Sequence, residues 1–212
     1  MISSSSADAI VVAAGESRRM GGGQSKILRP LAGKPLLYYC LSQLQASPLI
    51  QRIIIVCRRQ DAPEIEDLVE QEELYKALGN LVAGGSCRAE SVYRGLAYCV
   101  EIVPAEYVLI QDAARPFLRQ SFISESLDVA RTEGAAVVAM PVRDTIKEMG
   151  VDGKLIRTLD RERLWAMQTP QTFRFQLLWD SYLFVDDEDL DLYTDDAMII
   201  EADEHCAVPV LG

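Results

Sequence analysis

Short apolar runs that alternate with longer amphipathic segments are the feature that most limits what this chain can fold into. Apolar residues dominate the runs at residues 9–14, 52–57, 107–111 and 135–140. Runs of this length are typical of strands buried on both faces of a parallel sheet. Helical spacing is found between them, at residues 35–44, 62–78, 89–100 and 121–133, with a brief strand at 79–83. The alternation predicts a three-layer α/β fold around a mostly parallel, twisted, Rossmann-like sheet with right-handed crossovers.

The second half of the chain departs from this alternation. Residues 145–149 and 154–158 flank Asp152-Gly153, a dipeptide typical of hairpin turns. This pattern predicts a protruding β-hairpin arm at about residues 142–162. Further helices are predicted at residues 173–184 and after Thr194. A chain of 212 residues is expected to form one domain, spanning residues 1–212.

The bulk composition excludes several classes of function. The chain has 49% apolar and 25% charged residues, and its formal net charge is −11, which argues against broad binding to a nucleic-acid backbone. No run approaches the roughly 18 apolar residues of a membrane span, and the first residues lack the basic and apolar regions of a secretion signal. We therefore expect a cytoplasmic protein with no membrane partner. Scattered cysteines and a lone histidine, His205, argue against a zinc site and against histidine-based catalysis.

The loop at residues 15–26 combines glycines with cations directly after the first predicted strand. It contains four glycines together with Arg18, Arg19 and Lys26. Glycines let backbone N–H groups approach phosphates closely, and the cations add charge to such a cradle. No Gly-Lys-Ser/Thr ends the loop, and Ser17 stands where a dinucleotide fingerprint needs its second glycine. The loop therefore predicts a phosphate site of neither familiar type.

A carboxylate follows the fourth predicted strand, at Asp112 in the run Asp112-Ala113-Ala114-Arg115-Pro116. Ligands of parallel sheets bind beyond the carboxyl ends of the strands, where residues 15–26 also lie. One carboxylate plus substrate phosphates is a normal way to hold Mg²⁺. We therefore predict Mg²⁺, or another divalent cation, at Asp112.

Six motifs in order along the chain carry a resemblance to a known family. They are the runs at residues 13–26, 84–92, 112–116, 141–145, 169–171 and 194–196. Each run is weakly specific alone, but as an ordered set the chain resembles the 2-C-methyl-D-erythritol 4-phosphate cytidylyltransferases. The resemblance implies transfer of CMP from CTP to methylerythritol phosphate, a sugar-alcohol phosphate, with release of pyrophosphate, in non-mevalonate isoprenoid biosynthesis.

The resemblance also implies a role for individual residues. Arg19 and Lys26 are implied to be catalytic, and Asp112 is implied to hold the metal. The implied nucleotide-binding residues are Ala13, Ala14, Gly15, Gly85, Ser86, Arg88 and Ser91. The implied acceptor-binding residues are Arg115, Asp144, Thr145, Arg161, Thr169 and Thr194. A homodimer is implied as well, in which the arm exchanges between subunits and Arg161 serves the partner's site.

The chain departs from the family pattern at several points. Ser17 replaces a usual glycine, Ser25 replaces a usual proline, and Ser86 occupies a position that is often acidic. The resemblance further implies a lysine-bearing segment and a last helix beyond residue 212, which we expect this chain to lack. The departures are expected to loosen the loop without removing its cations.

Three other functions remain open at this point. A ribitol 5-phosphate cytidylyltransferase shares nearly every motif above. An NADP-binding redox domain could bind a 2′-phosphate with Arg58 and Arg59, although the glycine pattern of dinucleotide-binding loops is missing. A regulatory protein could bind the nucleotide without turnover.

Overall fold

A mixed sheet forms the middle layer of the computed structural model, which describes residues 6–15, 25–202 and 208–211. Its strands and those of two small hairpins are β1 (Ala7–Val12), β2 (Pro30–Leu31), β3 (Lys34–Pro35), β4 (Ile50–Cys57), β5 (Leu81–Ala83), β6 (Tyr107–Asp112), β7 (Ala135–Pro141), β8 (Lys147–Met149), β9 (Leu155–Thr158), β10 (Trp165–Arg174) and β11 (Val210–Leu211). The helices are α1 (Leu36–Ala46), α2 (Ala62–Gln71), α3 (Arg88–Glu101), α4 (Gln120–Glu133), α5 (Phe175–Leu183) and α6 (Asp196–Glu201).

The strand order of the sheet is β11-β7-β10-β6-β1-β4-β5. Strand β1 pairs in parallel with β4 and β6, so that Ile10 lies opposite both Ile54 and Ile110. Strand β5 continues the parallel set beside β4, and β11 runs parallel to β7. Strand β10 alone among these strands runs antiparallel to its neighbours, β6 and β7. The predicted three-layer, mostly parallel α/β fold is confirmed.

Two apolar cores cover the two faces of the sheet. On one face, α1, α2 and α4 contribute buried residues such as Leu41, Ile65 and Leu127. On the other face, α3, α5 and α6 contribute residues such as Leu96 and Leu178. Strand residues alternate between the two cores, as side chains along a strand point to opposite faces. The helices thus fix the strands rigidly, and with them the loops at their carboxyl ends.

The long strand β10, the short strands β2, β3 and β11, and two helix boundaries differ from the predictions. The segment at residues 165–174 is the long strand β10, whereas the sequence pattern predicts a helix from Phe173. The sequence shows no strand pattern here, because proline is rare inside a sheet and Pro170 has polar neighbours. The ladder with β7 is irregular between Met167 and Gln171, which is where the proline is tolerated. Helix α2 ends at Gln71 rather than near residue 78, because Glu73 adopts a left-handed φ of 53°.

The predicted hairpin arm is present as β8 and β9, which pair antiparallel. Gly153 has a φ of 76° in the turn between them, a conformation that glycine adopts without strain. The apolar side chains of Val151, Leu155 and Ile156 are exposed on the arm.

No helix in the described part of the chain is both long enough and apolar enough to cross a membrane.

Candidate active site

A cavity of about 540 Å³ opens where the carboxyl ends of β1, β4, β5 and β6 meet. Ala13, Ala14 and Gly15 line it after β1, and Gly85, Ser86, Arg88 and Ser91 line it at the start of α3. Lys26 and Asp112 complete the predicted residues that line it. The position agrees with the rule that parallel sheets bind ligands beyond the carboxyl ends of their strands.

Close backbone packing shapes this cavity between β1 and the β5–α3 loop. A Cβ atom on Gly84 would overlap the Cβ of Ala14, and one on Gly85 would lie 2.6 Å from the Cβ of Glu90. Only glycine allows the loop to approach both the strand end and the helix so closely. The two glycines therefore let the loop backbone pack directly against the end of β1 and the start of α3.

Side chains of α3 hold the same loop from behind. The Ser86 N–H donates to Glu90 Oε2 at 2.5 Å, and the Gly85 N–H donates to Ser91 Oγ at 3.1 Å. Arg94 donates to the Gly84 carbonyl at 2.8 Å and pairs with Glu90 at 2.6 Å. The hydrogen bonds from Ser86, followed by that from Arg94, lower the pKa of Glu90 below its ordinary value. The loop is therefore fixed by a helix whose own position is set by the core.

Cations face the cavity from two further elements. Lys26 begins a 3-10 turn whose next residues, Ile27 and Leu28, are buried in the core and anchor it. Arg58 follows β4 and pairs through Nε with Asp61 at 2.7 Å. Arg19, predicted to act with Lys26, lies outside the described residues, as does Ser17.

A second cavity of about 360 Å³ adjoins the first and shares Arg88 and Asp112 with it. Its walls carry the predicted acceptor residues Arg115, Thr169 and Thr194. The two cavities therefore meet at one arginine and one carboxylate.

The shared carboxylate of Asp112 is held by two guanidinium groups. Arg88 Nε lies 3.2 Å from Oδ1, and Arg115 Nε lies 3.1 Å from Oδ2. The Asp112 N–H donates to Thr169 Oγ1 at 3.2 Å, which ties β6 to β10 at this point. Arg115 also donates to Gln168. Charges from both cavities thus converge on Asp112.

Three predicted residues do not line either cavity in the described part of the chain. Asp144, Thr145 and Arg161 are exposed near the base of the arm, and Arg161 donates to the Arg143 carbonyl at 2.9 Å. The cavities are also lined by residues that the sequence does not predict there: Val12, Ile27, Arg58, Cys87 and Ala114 in the first, and Met167, Gln168, Gln171 and Asp195 in the second. Gln171 and Asp195 belong to motifs already noted, so their positions could have been inferred. For Arg58 the sequence predicts only a role toward a 2′-phosphate.

Among the described residues, Asp112 is the carboxylate that a divalent cation could bind at the junction of the two cavities. The described residues contain no cluster of three or more His, Cys, Asp or Glu side chains able to hold a metal. Asp112 faces both cavities, and hard cations such as Mg²⁺ take a few protein oxygens and complete their shell with phosphates and water. The donor set fits a cation that arrives with a phosphorylated ligand.

The α/β sheet and the paired cavities at its carboxyl edge place the chain among the nucleotidyltransferases. The family pattern of 2-C-methyl-D-erythritol 4-phosphate cytidylyltransferase matches residues 7–210. The chain belongs to this family.

Named relatives and solved structures agree with that assignment. The 2-C-methyl-D-erythritol 4-phosphate cytidylyltransferase of Alkaliphilus metalliredigens is 38% identical over 96% of this chain and 83% of its own length. That of Dehalococcoides mccartyi strain CBDB1 is 39% identical over 91% of this chain and 81% of its own length. The crystal structure of 4-diphosphocytidyl-2C-methyl-D-erythritol synthase from Anaerococcus prevotii aligns with a TM-score of 0.81 at 26% identity, covering 98% of this chain and 89% of that one. The Thermus thermophilus cytidylyltransferase aligns at 0.75 and 26% identity, over 97% of this chain and 88% of that one.

Proposed function

We propose that this protein transfers CMP from CTP to 2-C-methyl-D-erythritol 4-phosphate, releasing pyrophosphate and forming 4-diphosphocytidyl-2-C-methyl-D-erythritol for isoprenoid biosynthesis. Membership of the family supports the reaction. The observation that carries it at the level of the site is the pair of cavities that meet at Arg88 and Asp112. A transferase for two phosphorylated substrates needs two adjoining sites with charge neutralisation at their junction.

The larger cavity is the proposed CTP site. Its volume of about 540 Å³ lies within the range of small-molecule sites. Ala13, Ala14 and Gly15 would contact the nucleotide from the β1 side. Gly85, Ser86, Arg88 and Ser91 would contact it from the α3 side.

The chemistry requires positioning and charge rather than a general base. A phosphate oxygen of the acceptor is already anionic at neutral pH, so it can attack the α-phosphorus of CTP directly. The new P–O bond forms as the bond from the α-phosphorus to the bridging oxygen breaks, and pyrophosphate leaves with that electron pair. Lys26 and Arg19 are the proposed donors that stabilise the charge developing at the α-phosphate.

A divalent cation, Mg²⁺ in our proposal, would be held by Asp112 together with substrate phosphates. When bound, the ion would supply neutralisation of phosphate charge at the junction of the cavities. Binding of the ion would compete with the arginines for Asp112, since Arg88 and Arg115 already contact both carboxylate oxygens.

The smaller cavity is the proposed acceptor site, with Arg115, Thr169 and Thr194 as its binding residues. Their charge and hydroxyl groups suit a phosphate and a polyol. We further propose that Asp144, Thr145 and Arg161, which lie away from this cavity, contribute from the arm in a homodimer. A cytoplasmic location stays a prediction of the sequence.

Pyrophosphate release from CTP tests the proposal, with methylerythritol phosphate as acceptor and ribitol 5-phosphate as the comparison. We expect turnover with the first and little with the second. The ribitol reaction is not favoured, because the relatives reported above are named for methylerythritol phosphate. CTP binding with no pyrophosphate release on either acceptor would support a non-catalytic nucleotide-binding protein instead.

A further inference from the structure

A buried ion pair lies directly behind the junction of the two cavities. Asp196, the first residue of α6, is completely buried, and its Oδ2 lies 2.9 Å from Arg88 Nη1. The Arg88 side chain is 24% exposed and extends from this pair to Asp112. Asp196 lines neither cavity among the described residues, and its carboxylate contacts Arg88, which lines both.

The surroundings of Asp196 are built to fix its carboxylate. The Tyr182 hydroxyl donates to Oδ1 at 2.7 Å, and the Asp196 N–H donates to Gln171 Oε1 at 3.0 Å. Burial, followed by the charge and hydrogen bond of Asp196, raises the pKa of Tyr182 well above its ordinary value, so the phenol stays a donor. One carboxylate oxygen is therefore held by the tyrosine, and the other is turned toward Arg88.

A buried carboxylate of this kind is costly to keep. Burial raises the pKa of Asp196, while the charge of Arg88 opposes that rise. Replacing a buried ion pair by apolar residues is often neutral or stabilising, so the pair is weak evidence for a role in stability. A charged network beside a ligand cavity is more typical of a functional arrangement.

We propose that Asp196 and Tyr182 are positioning residues that hold the Arg88 guanidinium at the boundary between the two cavities. Arg88 then presents a fixed cation to the ligands on both sides and orients Asp112 at the same time. This inference rests on the proposed function for its assignment of CTP and acceptor, and it adds residues outside both cavities to the binding machinery.

The chain offers a matched control for a purely structural role. Asp8 is also completely buried and pairs with Arg52, 25% exposed, at 2.7 Å. Asp8 lies near the amino end of the interior strand β1, whereas the cavities lie at the carboxyl ends of the strands. Asp8→Asn and Asp196→Asn therefore remove the same charge from the same kind of pair, with only one of them near the ligands.

Calorimetric titration of CTP, thermal unfolding and steady-state kinetics should be measured for Asp196→Asn, Tyr182→Phe and Asp8→Asn. We expect Asp196→Asn to weaken CTP binding by about tenfold and to raise the KM of the acceptor, since the negative charge that pairs with Arg88 is lost. Tyr182→Phe keeps the ring packing and should weaken binding by about threefold to fivefold. Asp8→Asn should lower the melting temperature while CTP affinity stays unchanged.

A double-mutant cycle with Arg88→Met separates positioning from independent effects. If Asp196 acts through Arg88, the double variant binds CTP about as weakly as Arg88→Met alone. Losses that multiply would overturn the proposal, as would an Asp196→Asn variant that changes only the melting temperature. If Asp196→Asn fails to fold, Tyr182→Phe in the Arg88→Met background decides the question by the same comparison.

The proposed function can be contradicted independently of the proposed positioning of Arg88. Wild-type protein that binds CTP but releases no pyrophosphate would contradict the reaction, while the binding cycle would still test the positioning of Arg88. Wild-type protein that does not bind CTP would contradict both.

Discussion

The proposed chemistry depends on a few cationic side chains in a protein whose formal net charge is −11. Such a protein must concentrate positive charge locally if it is to bind triphosphates. Lys26, Arg58, Arg88 and Arg115 do so within the two cavities. Arg58, Arg88 and Arg115 pair with carboxylates, which holds their guanidinium groups in place before any ligand arrives.

Lys26→Ala should lower kcat by about 10²- to 10³-fold, as expected when a donor to a developing oxyanion is lost. Arg19→Ala should have an effect of the same size. Steady-state pyrophosphate release at saturating CTP measures both. Arg131→Ala on α4, where the arginine pairs with Asp128 and lines neither cavity, is the control for loss of a cation outside the site and should be nearly unchanged. A loss smaller than about threefold would remove the residue from the proposed catalytic set.

Asp112→Asn should mainly raise the concentration of Mg²⁺ needed for half-maximal activity. The amide keeps the shape of the side chain but removes the charge that attracts a hard cation. The substitution also weakens the pairing with Arg88 and Arg115, so CTP affinity without metal should be measured as well. A Mg²⁺ titration that matches wild type would contradict the assignment of Asp112 to the metal.

The β5–α3 loop contributes Gly85 and Ser86 to the lining of the larger cavity. Gly84 and Gly85 pack against Ala14 and Glu90, while Glu90 and Arg94 hold the loop from α3. We propose that this contact fixes the backbone groups that read the nucleotide base.

Gly85→Ala should weaken CTP binding by more than about tenfold, because the new Cβ would overlap the stem of Glu90 and displace the loop. Nucleotide titration measures this effect. Gly79→Ala is a useful contrast: its Cβ would meet nothing within 4 Å, although its φ of 73° makes the change mildly destabilising. Equal CTP affinity in the two variants would show that the loop does not shape the site.

The elements of the parallel sheet were predictable from sequence, whereas β10 was not. Strands β1, β4, β6 and β7 are apolar on both faces, so an apolar run identifies each of them. Asp112 and Lys26 could be recognised because they follow such runs. Strand β10 carries Pro170 and polar neighbours, and its role as an antiparallel insertion depends on contacts with β6 and β7 that no local pattern encodes. Gln168 was missed for that reason.

At the scale of the whole molecule, the arm separates one group of predicted acceptor residues from the acceptor cavity. Arg161 and Thr145 lie at its base, and the arm exposes Val151, Leu155 and Ile156. Exposed apolar side chains on a projecting hairpin are typical of an association surface. A two-fold dimer that exchanges arms would bury these side chains and bring Arg161 to the partner's acceptor cavity.

Mixing two inactive variants tests this arrangement directly. Lys26→Ala damages the site formed by its own chain, while Arg161→Ala would damage the site of the partner. In a mixed dimer, one site then has both residues intact and the other has neither. Random subunit exchange gives half mixed dimers with one working site each, so about a quarter of wild-type activity should return.

If Arg161 served its own chain, each site of the mixed dimer would lack one residue and no activity would return. Ile156→Asp provides the control, since a charge on the exposed apolar face of the arm should prevent exchange. Introduced into both inactive variants, it should abolish the recovery and yield a monomer by light scattering. Recovery that survives in monomeric protein would contradict the shared site, because restoration requires that the two chains meet.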